Sequence, residues 1–214
     1  MRRDTGARMT PIEAVRARWD IVVFDGVDEL DALGPLEVCR SASDLGGHLE
    51  VRLVTREPAS LVRGAHGLGF RPDAVHLPGA DVLIVPGGGW ARRAPQGAWA
   101  EAQSGAWPAL LRDARATTRV MAGVCTGTML LAHAGVVGTR RAATHHSARG
   151  DLAETGATVV HDRVVDDGDL VTCGGVTSGI DLALHLVGRE CSPAIAEQVA
   201  RRMEYRPSTR PFDA

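Results

Sequence analysis

The chain has 214 residues, 44% hydrophobic and 23% charged, with a formal net charge of −2. That length suits one domain with a real core, and without a long basic block the chain is not expected to bind nucleic acid through a cationic face. Four widely spaced cysteines, Cys39, Cys125, Cys173 and Cys191, form no C-x-x-C pair, so the usual zinc and dithiol motifs are missing and a disulfide framework is not expected.

Residues 1–18 carry arginines but no apolar stretch of signal-peptide length, and nothing further on is long and apolar enough to span a bilayer. The expectation is a flexible N-terminal extension over 1–18 and a single domain over 19–214, in a cytoplasmic protein. Asp20–Gly26, "DIVVFDG", is rich in β-branched residues and reads as a buried strand. A helix is expected to open at Pro35 and run to Ser43. Leu49–Glu57 reads as a second strand, Asp81–Gly89 as a third stopped by Pro86 and three glycines, and Arg119–Val124 as a fourth. Between the last two, Gln96–Ala116 is Ala-rich and helical, with a break near Gly105–Pro108. Thr126–Gly135 is apolar almost all round and reads as a buried helix.

Beyond it, Arg163–Thr172 has the pattern of a hairpin turning on Asp-Gly. Ile180, Ala183, Leu184 and Val187 recur at helical spacing, and Ser192-Pro193 opens a last helix with Ile195, Val199 and Met203 on one stripe. This alternation predicts an α/β fold whose mostly parallel sheet is covered by helices on both faces. Ligands of such sheets bind beyond the carboxyl ends of the strands.

Four stretches could carry chemistry, the first two of them expected at that edge. Gly123-Val124-Cys125-Thr126-Gly127 places a cysteine between a strand and a helix in G-x-C-x-G, the pattern of a nucleophile elbow with sulfur in place of oxygen. A thiol at a helix N-terminus is expected to be biased toward thiolate; the same pattern also suits a structural cysteine at a tight turn. Pro86-Gly87-Gly88-Gly89 offers backbone N–H groups for an oxyanion hole, or a flexible turn. Asp31 lies in the apolar run "LDALG", where burial would raise its pKa and suit it to proton transfer; it also suits a helix start. In Ala143–His146, "ATHH", a histidine near the thiol can orient it or move protons. His133 and His185 lie in apolar helical patterns and read as core or edge residues.

Taken together, in this order along the chain, these stretches resemble the ThiJ/PfpI superfamily of the class I glutamine amidotransferase-like fold. The stretches "LDALGPLEV", "VCTGTMLLAHAGVV", "RAATHH", "GGVTSGIDLAL" and "MEYRPSTRPF" look most like its isocyanide (isonitrile) hydratase branch. The resemblance implies a flavodoxin-like sandwich, a homodimer, a small-molecule substrate and no cofactor or metal. It implies Cys125 as nucleophile and Asp31 as its acidic partner. Backbone N–H groups around Gly87, Gly88 and Thr126 would form the anion pocket, with His145 near the thiol and Val176 in a segment packed on the site. His146 stands where members of that branch tend to carry an aromatic residue, which makes the pocket more polar. The implied reaction hydrates an isocyanide to an N-substituted formamide through a covalent thioimidate. Glyoxalase or deglycase chemistry on 2-oxoaldehydes, and a non-catalytic cysteine-based sensor, are the alternatives.

Overall fold

The computed structural model describes residues 16–208 and 212–213. β1 (Ala17–Val22) leads into α1 (Glu29–Ala42) and β2 (Leu49–Thr55). The short strands β3 (Val62–Arg63), β4 (Gly69–Phe70) and β5 (Ala74–Val75) precede β6 (Val82–Val85). Next come α2 (Ala98–Ser104), α3 (Ala106–Ala114), β7 (Val120–Gly123) and α4 (Gly127–His133). β8 (Arg141–Ala142), α5 (Arg149–Glu154) and β9 (Thr158–Val159) form a small flanking unit. The chain closes with β10 (Val164–Asp166), β11 (Leu170–Cys173), α6 (Ser178–Glu190), α7 (Pro193–Arg202) and β12 (Phe212–Asp213).

The main sheet has eight strands in the order β12-β10-β11-β7-β6-β1-β2-β5. From β11 to β5 every neighbouring pair is parallel; β10 runs antiparallel to β11, with β12 alongside it. The central order β2-β1-β6-β7-β11 is the flavodoxin-like doubly wound order, with its switch point between β1 and β6. Every residue of β6, β7 and β11 is buried, as strands covered on both faces must be. α1, α6 and α7 pack on one another, and α2, α3 and α4 form a second group. Right-handed crossovers that wind in opposite directions from the switch point place these groups on opposite faces.

Three expected boundaries are corrected. β1 begins at Ala17, so the extension expected over 1–18 overlaps its first two residues, and the remainder of that stretch lies outside the described residues apart from Arg16. β1 also stops at Val22 rather than continuing to Gly26, because the chain turns into a loop that carries Gly26 at φ +80°. α1 starts six residues before Pro35. Asp28 caps it by accepting from Leu30 N–H at 3.2 Å, and Glu29 complements the dipole in the first turn. Pro35 thus lies inside the helix, where its ring and Gly34 form the close contact with α6. A Cβ on Gly179 would sit 3.3 Å from Pro35 Cγ, and one on Gly34 would sit 3.2 Å from Ile180 Cγ1. The break near Gly105 is present, with Gly105 at φ +72° between α2 and α3. The hairpin turns on Asp167-Gly168, where Asp166 accepts from Gly168 N–H at 2.9 Å.

Candidate active site

The loops leaving β1, β6, β7 and β11 meet at the carboxyl edge of the sheet, at and beside the switch point. Cys125 turns the corner from β7 into α4 with φ +57°, a conformation that strains any residue with a Cβ. The corner is possible because the elements touch through glycine. A Cβ on Gly127 would lie 2.6 Å from the Val85 carbonyl carbon and nearer still to its oxygen. Cys125 N–H donates to Gly174 C=O at 3.0 Å, and the Thr144 hydroxyl donates to Cys125 C=O at 2.8 Å, so the strained peptide is held from both sides.

Asp31, with no exposed surface, stands behind the thiol on the first turn of α1. Its Oδ2 accepts from Gly87 N–H at 3.0 Å. Its Oδ1 is buried without a hydrogen bond of good geometry, and its polar neighbours are the Cys125 thiol and Val176 N–H. Burial, and next the nearby Asp28 carboxylate, push the Asp31 carboxyl well above the usual carboxylate range. Burial and the Asp31 charge likewise push the Cys125 thiol up, against the pull of Val176 and Thr126 N–H groups. This reverses the expected bias toward thiolate: the N–H groups of Thr126 at the start of α4 and of Val176 in the β11–α6 loop do favour it, but desolvation and the neighbouring carboxylate outweigh them. Asp31 and Cys125 form one coupled acid pair that resists carrying two negative charges.

Cys125, Gly88, Thr126, His145 and Val176 line one cavity of about 330 Å³, together with Asp28, Trp90, Arg92 and Ser147. The role expected of the Gly87 and Gly88 amides is corrected. Gly87 N–H is committed to Asp31, and Gly88 N–H donates to Thr126 Oγ1 at 3.0 Å. The amides that face the thiol are those of Thr126 and Val176. Val176 achieves this at φ +46°, a rare conformation for a β-branched residue. His145 Nδ1 is taken up by Ser147, 2.8 Å from its hydroxyl, and burial with the nearby His146 lowers its pKa. His146 packs against His145 in a tilted ring contact with centroids 4.1 Å apart, but it is exposed and lines a neighbouring cavity.

Several site residues escape sequence reasoning. Asp28 was readable as a helix cap in "DELD", and Trp90 and Arg92 directly follow the glycine loop. Thr144, whose hydroxyl holds the Cys125 carbonyl, precedes His145 in "ATHH". Among the described residues, Asp28, Glu29 and His66 bring potential metal ligands within 4.8 Å of one another. Glu29 Oε1 already accepts from the N–H groups of His66 (2.8 Å) and Leu68 (3.3 Å), which ties α1 to the β3–β4 hairpin. Among the described residues no helix is long and apolar enough to cross a membrane.

Residues 18–189 match the model of the DJ-1/PfpI family. The chain belongs to that family. It is 35% identical over 203 residues to an isonitrile hydratase of Pseudomonas putida, an alignment covering 90% of this chain and 80% of that protein. Of solved structures, a ThiJ/PfpI family protein from Pseudomonas syringae superposes with a TM-score of 0.79 at 26% identity, covering 98% of this chain and 84% of that one. Drosophila melanogaster DJ-1beta superposes with a TM-score of 0.76 at 20% identity over 89% of this chain and 99% of that one, which speaks to the fold alone. These DJ-1/PfpI neighbours share the flavodoxin-like fold described above.

Proposed function

We propose that this protein hydrates an isocyanide, R–N≡C, to the formamide R–NH–CHO, with Cys125 as nucleophile and Asp31 as proton carrier. The reading is carried by the thiol on the wall of a small cavity, with a buried carboxyl of raised pKa directly behind it. The similarity to an isonitrile hydratase supports the choice of substrate.

The terminal carbon of an isocyanide must gain both a bond and a proton. Sulfur attacks that carbon while the protonated Asp31 delivers its proton there. The thiol proton passes to the carboxylate so formed, leaving R–N=CH–S–Cys and a neutral Asp31. Water then adds across C=N, giving its proton to nitrogen with Asp31 as relay, to form R–NH–CH(OH)–S–Cys. Loss of the hydroxyl proton expels sulfur, which is reprotonated, and the formamide leaves. Thr126 and Val176 N–H groups lower the energy of negative charge on sulfur during attack and expulsion.

The test mixes wild type, Cys125→Ala and Asp31→Asn with an aryl isocyanide and follows formamide by chromatography and the protein by intact mass. Wild type forms formamide, Cys125→Ala forms none and gains no mass, and Asp31→Asn is slowed by roughly 10²-fold or more, the usual worth of a placed acid or base. Formamide from Cys125→Ala at the wild-type rate overturns the covalent route. Production of 2-hydroxy acid from a 2-oxoaldehyde without any formamide from isocyanides overturns the substrate assignment.

A further inference from the structure

A second cavity of about 340 Å³ adjoins the one that holds Cys125, and His145 and Val176 line both. Nothing in the reaction above uses it, yet its lining is rich in cationic and cation-forming groups: Arg149, Arg163, His146 and His161, with exposed Asp162 as the acid among them. Arg163 is held rigidly. Its Nε donates to Asp181 at 2.5 Å and its Nη2 to Thr177 Oγ1 at 2.9 Å and Tyr205 Oη at 3.3 Å, while Nη1 takes no part in these bonds. Arg149 is the opposite case. Among the described residues it has no ion pair, and its Nε is buried without a hydrogen-bond partner. The rest of its guanidinium fork likewise makes no hydrogen bond or ion pair among the described residues, and a guanidinium N–H is costly to leave unanswered away from water, so this cavity-lining fork is open to an acceptor from outside. The positive field reaches the neighbouring site, since His146 and Arg149 both help to lower the His145 pKa.

We propose that this second cavity is a carboxylate subsite of the same active center, with Arg149 as its principal ligand, and that the preferred substrates are isocyanides carrying a carboxylate on a short R group. This rests on the hydration reading. The reactive carbon meets Cys125 in the first cavity while the substrate passes the His145–Val176 wall, and its carboxylate reaches the planar guanidinium fork that suits such a group.

The experiment compares 4-isocyanobenzoate with phenyl isocyanide in wild type, Arg149→Gln and Arg149→Lys. In parallel, calorimetry measures binding of 4-formamidobenzoate and formanilide, which requires no turnover. Wild type favours the carboxylate partner of each pair by about tenfold or more, the worth of one charge-assisted hydrogen bond. Arg149→Gln brings both ratios toward one, and Arg149→Lys keeps part of the preference. Ratios near one in wild type, or ratios that Arg149→Gln leaves unchanged in folded protein, overturn the subsite even if formamide is produced. If no isocyanide is hydrated but the Arg149-dependent binding preference stands, the hydration reading fails and the anion subsite survives.

Discussion

Gly127→Ala tests whether the corner that presents Cys125 is built on close backbone approach. The added Cβ would lie 2.6 Å from the Val85 carbonyl carbon and 2.8 Å from that of Pro86, below the 3.0 Å at which neighbouring atoms must move. Both neighbours are backbone at the end of β6, so no side chain can rotate away. The required displacement is at least 3.0 − 2.6 = 0.4 Å at Val85, and larger at its oxygen. Overpacking of this kind costs on the order of 3 kcal/mol, and for a chain of this size each kcal/mol lowers Tm by roughly 2–4 °C. The expected drop is therefore about 6–12 °C. The same shift moves Gly87 and Gly88, whose 3.0 Å bonds to Asp31 and Thr126 set the depth of the site. Formamide production should fall by roughly 10²-fold even in the folded fraction, the usual penalty for misplacing catalytic groups. Gly150→Ala is the control: its Cβ would meet nothing within 4 Å, and in α5 it should stabilise by about 0.5 kcal/mol. Thermal melts followed by circular dichroism, with activity measured well below Tm, decide the matter. A Gly127→Ala melt within about 2 °C of wild type refutes the steric account.

Three further outcomes are expected. Asp31 has a raised pKa in the folded protein, so between its unfolded value near 3.8 and that raised value the native state holds a proton the unfolded chain has lost. Its contribution is favourable at low pH and is lost as pH rises, so the Tm of Asp31→Asn minus that of wild type should grow from about pH 4 toward pH 8; a flat or shrinking difference refutes the raised value. Burial and Asp31 hold the Cys125 thiol up, so its alkylation by iodoacetamide, read by peptide mass spectrometry, should keep accelerating from about pH 7 to pH 10, whereas a plateau by pH 8 would show an acidic thiol. Cys39 and Cys173, with no exposed surface, should label last. Leu30, Leu61 and Leu68 are exposed on α1 and around the β3–β4 hairpin, and we propose a homodimer that covers them; light scattering at micromolar protein should give twice the chain mass, and a single-chain mass refutes it.

How much of this was readable from the sequence depends on how local each cause is. The Cys125 corner was legible because its demands are met by adjacent residues: apolar β7, a glycine on either side, then an apolar helix. Asp31 was legible as a buried acid because Leu30, Ala32 and Leu33 surround it in the sequence. The start of α1 was not read correctly, since Pro35 is a strong local signal for a first turn, whereas the Asp28 cap was decided together with the contacts of Gly34 and Pro35 to α6. The destinations of the Gly87 and Gly88 amides were hidden for a different reason. They depend on a helix 56 residues away for Asp31 and on a hydroxyl 38 residues away for Thr126. Strands β3, β4 and β5 have two residues each and leave no periodicity to detect. The positive φ of Val176 contradicts the preference of its residue type, so only tertiary packing accounts for it.

The strain at Cys125 and Val176 also bears on what kind of thiol chemistry this site favours. Holding each non-glycine residue at positive φ costs on the order of 1–3 kcal/mol, and together the two turns aim the Thr126 and Val176 N–H groups at sulfur. If the fold served only to make an acidic thiolate, a carboxyl directly behind that sulfur would work against it. The buried Asp31 carboxyl opposes ionisation of Cys125, while the two amides lower the energy of negative charge on sulfur. Such a pair can keep a proton and a nucleophile side by side until an electrophile arrives that consumes both. An aldehyde takes the sulfur on carbon but the proton on oxygen, so the acid must reach a second atom. The terminal carbon of an isocyanide takes both on one atom, which a single carboxyl packed against a single thiol can supply.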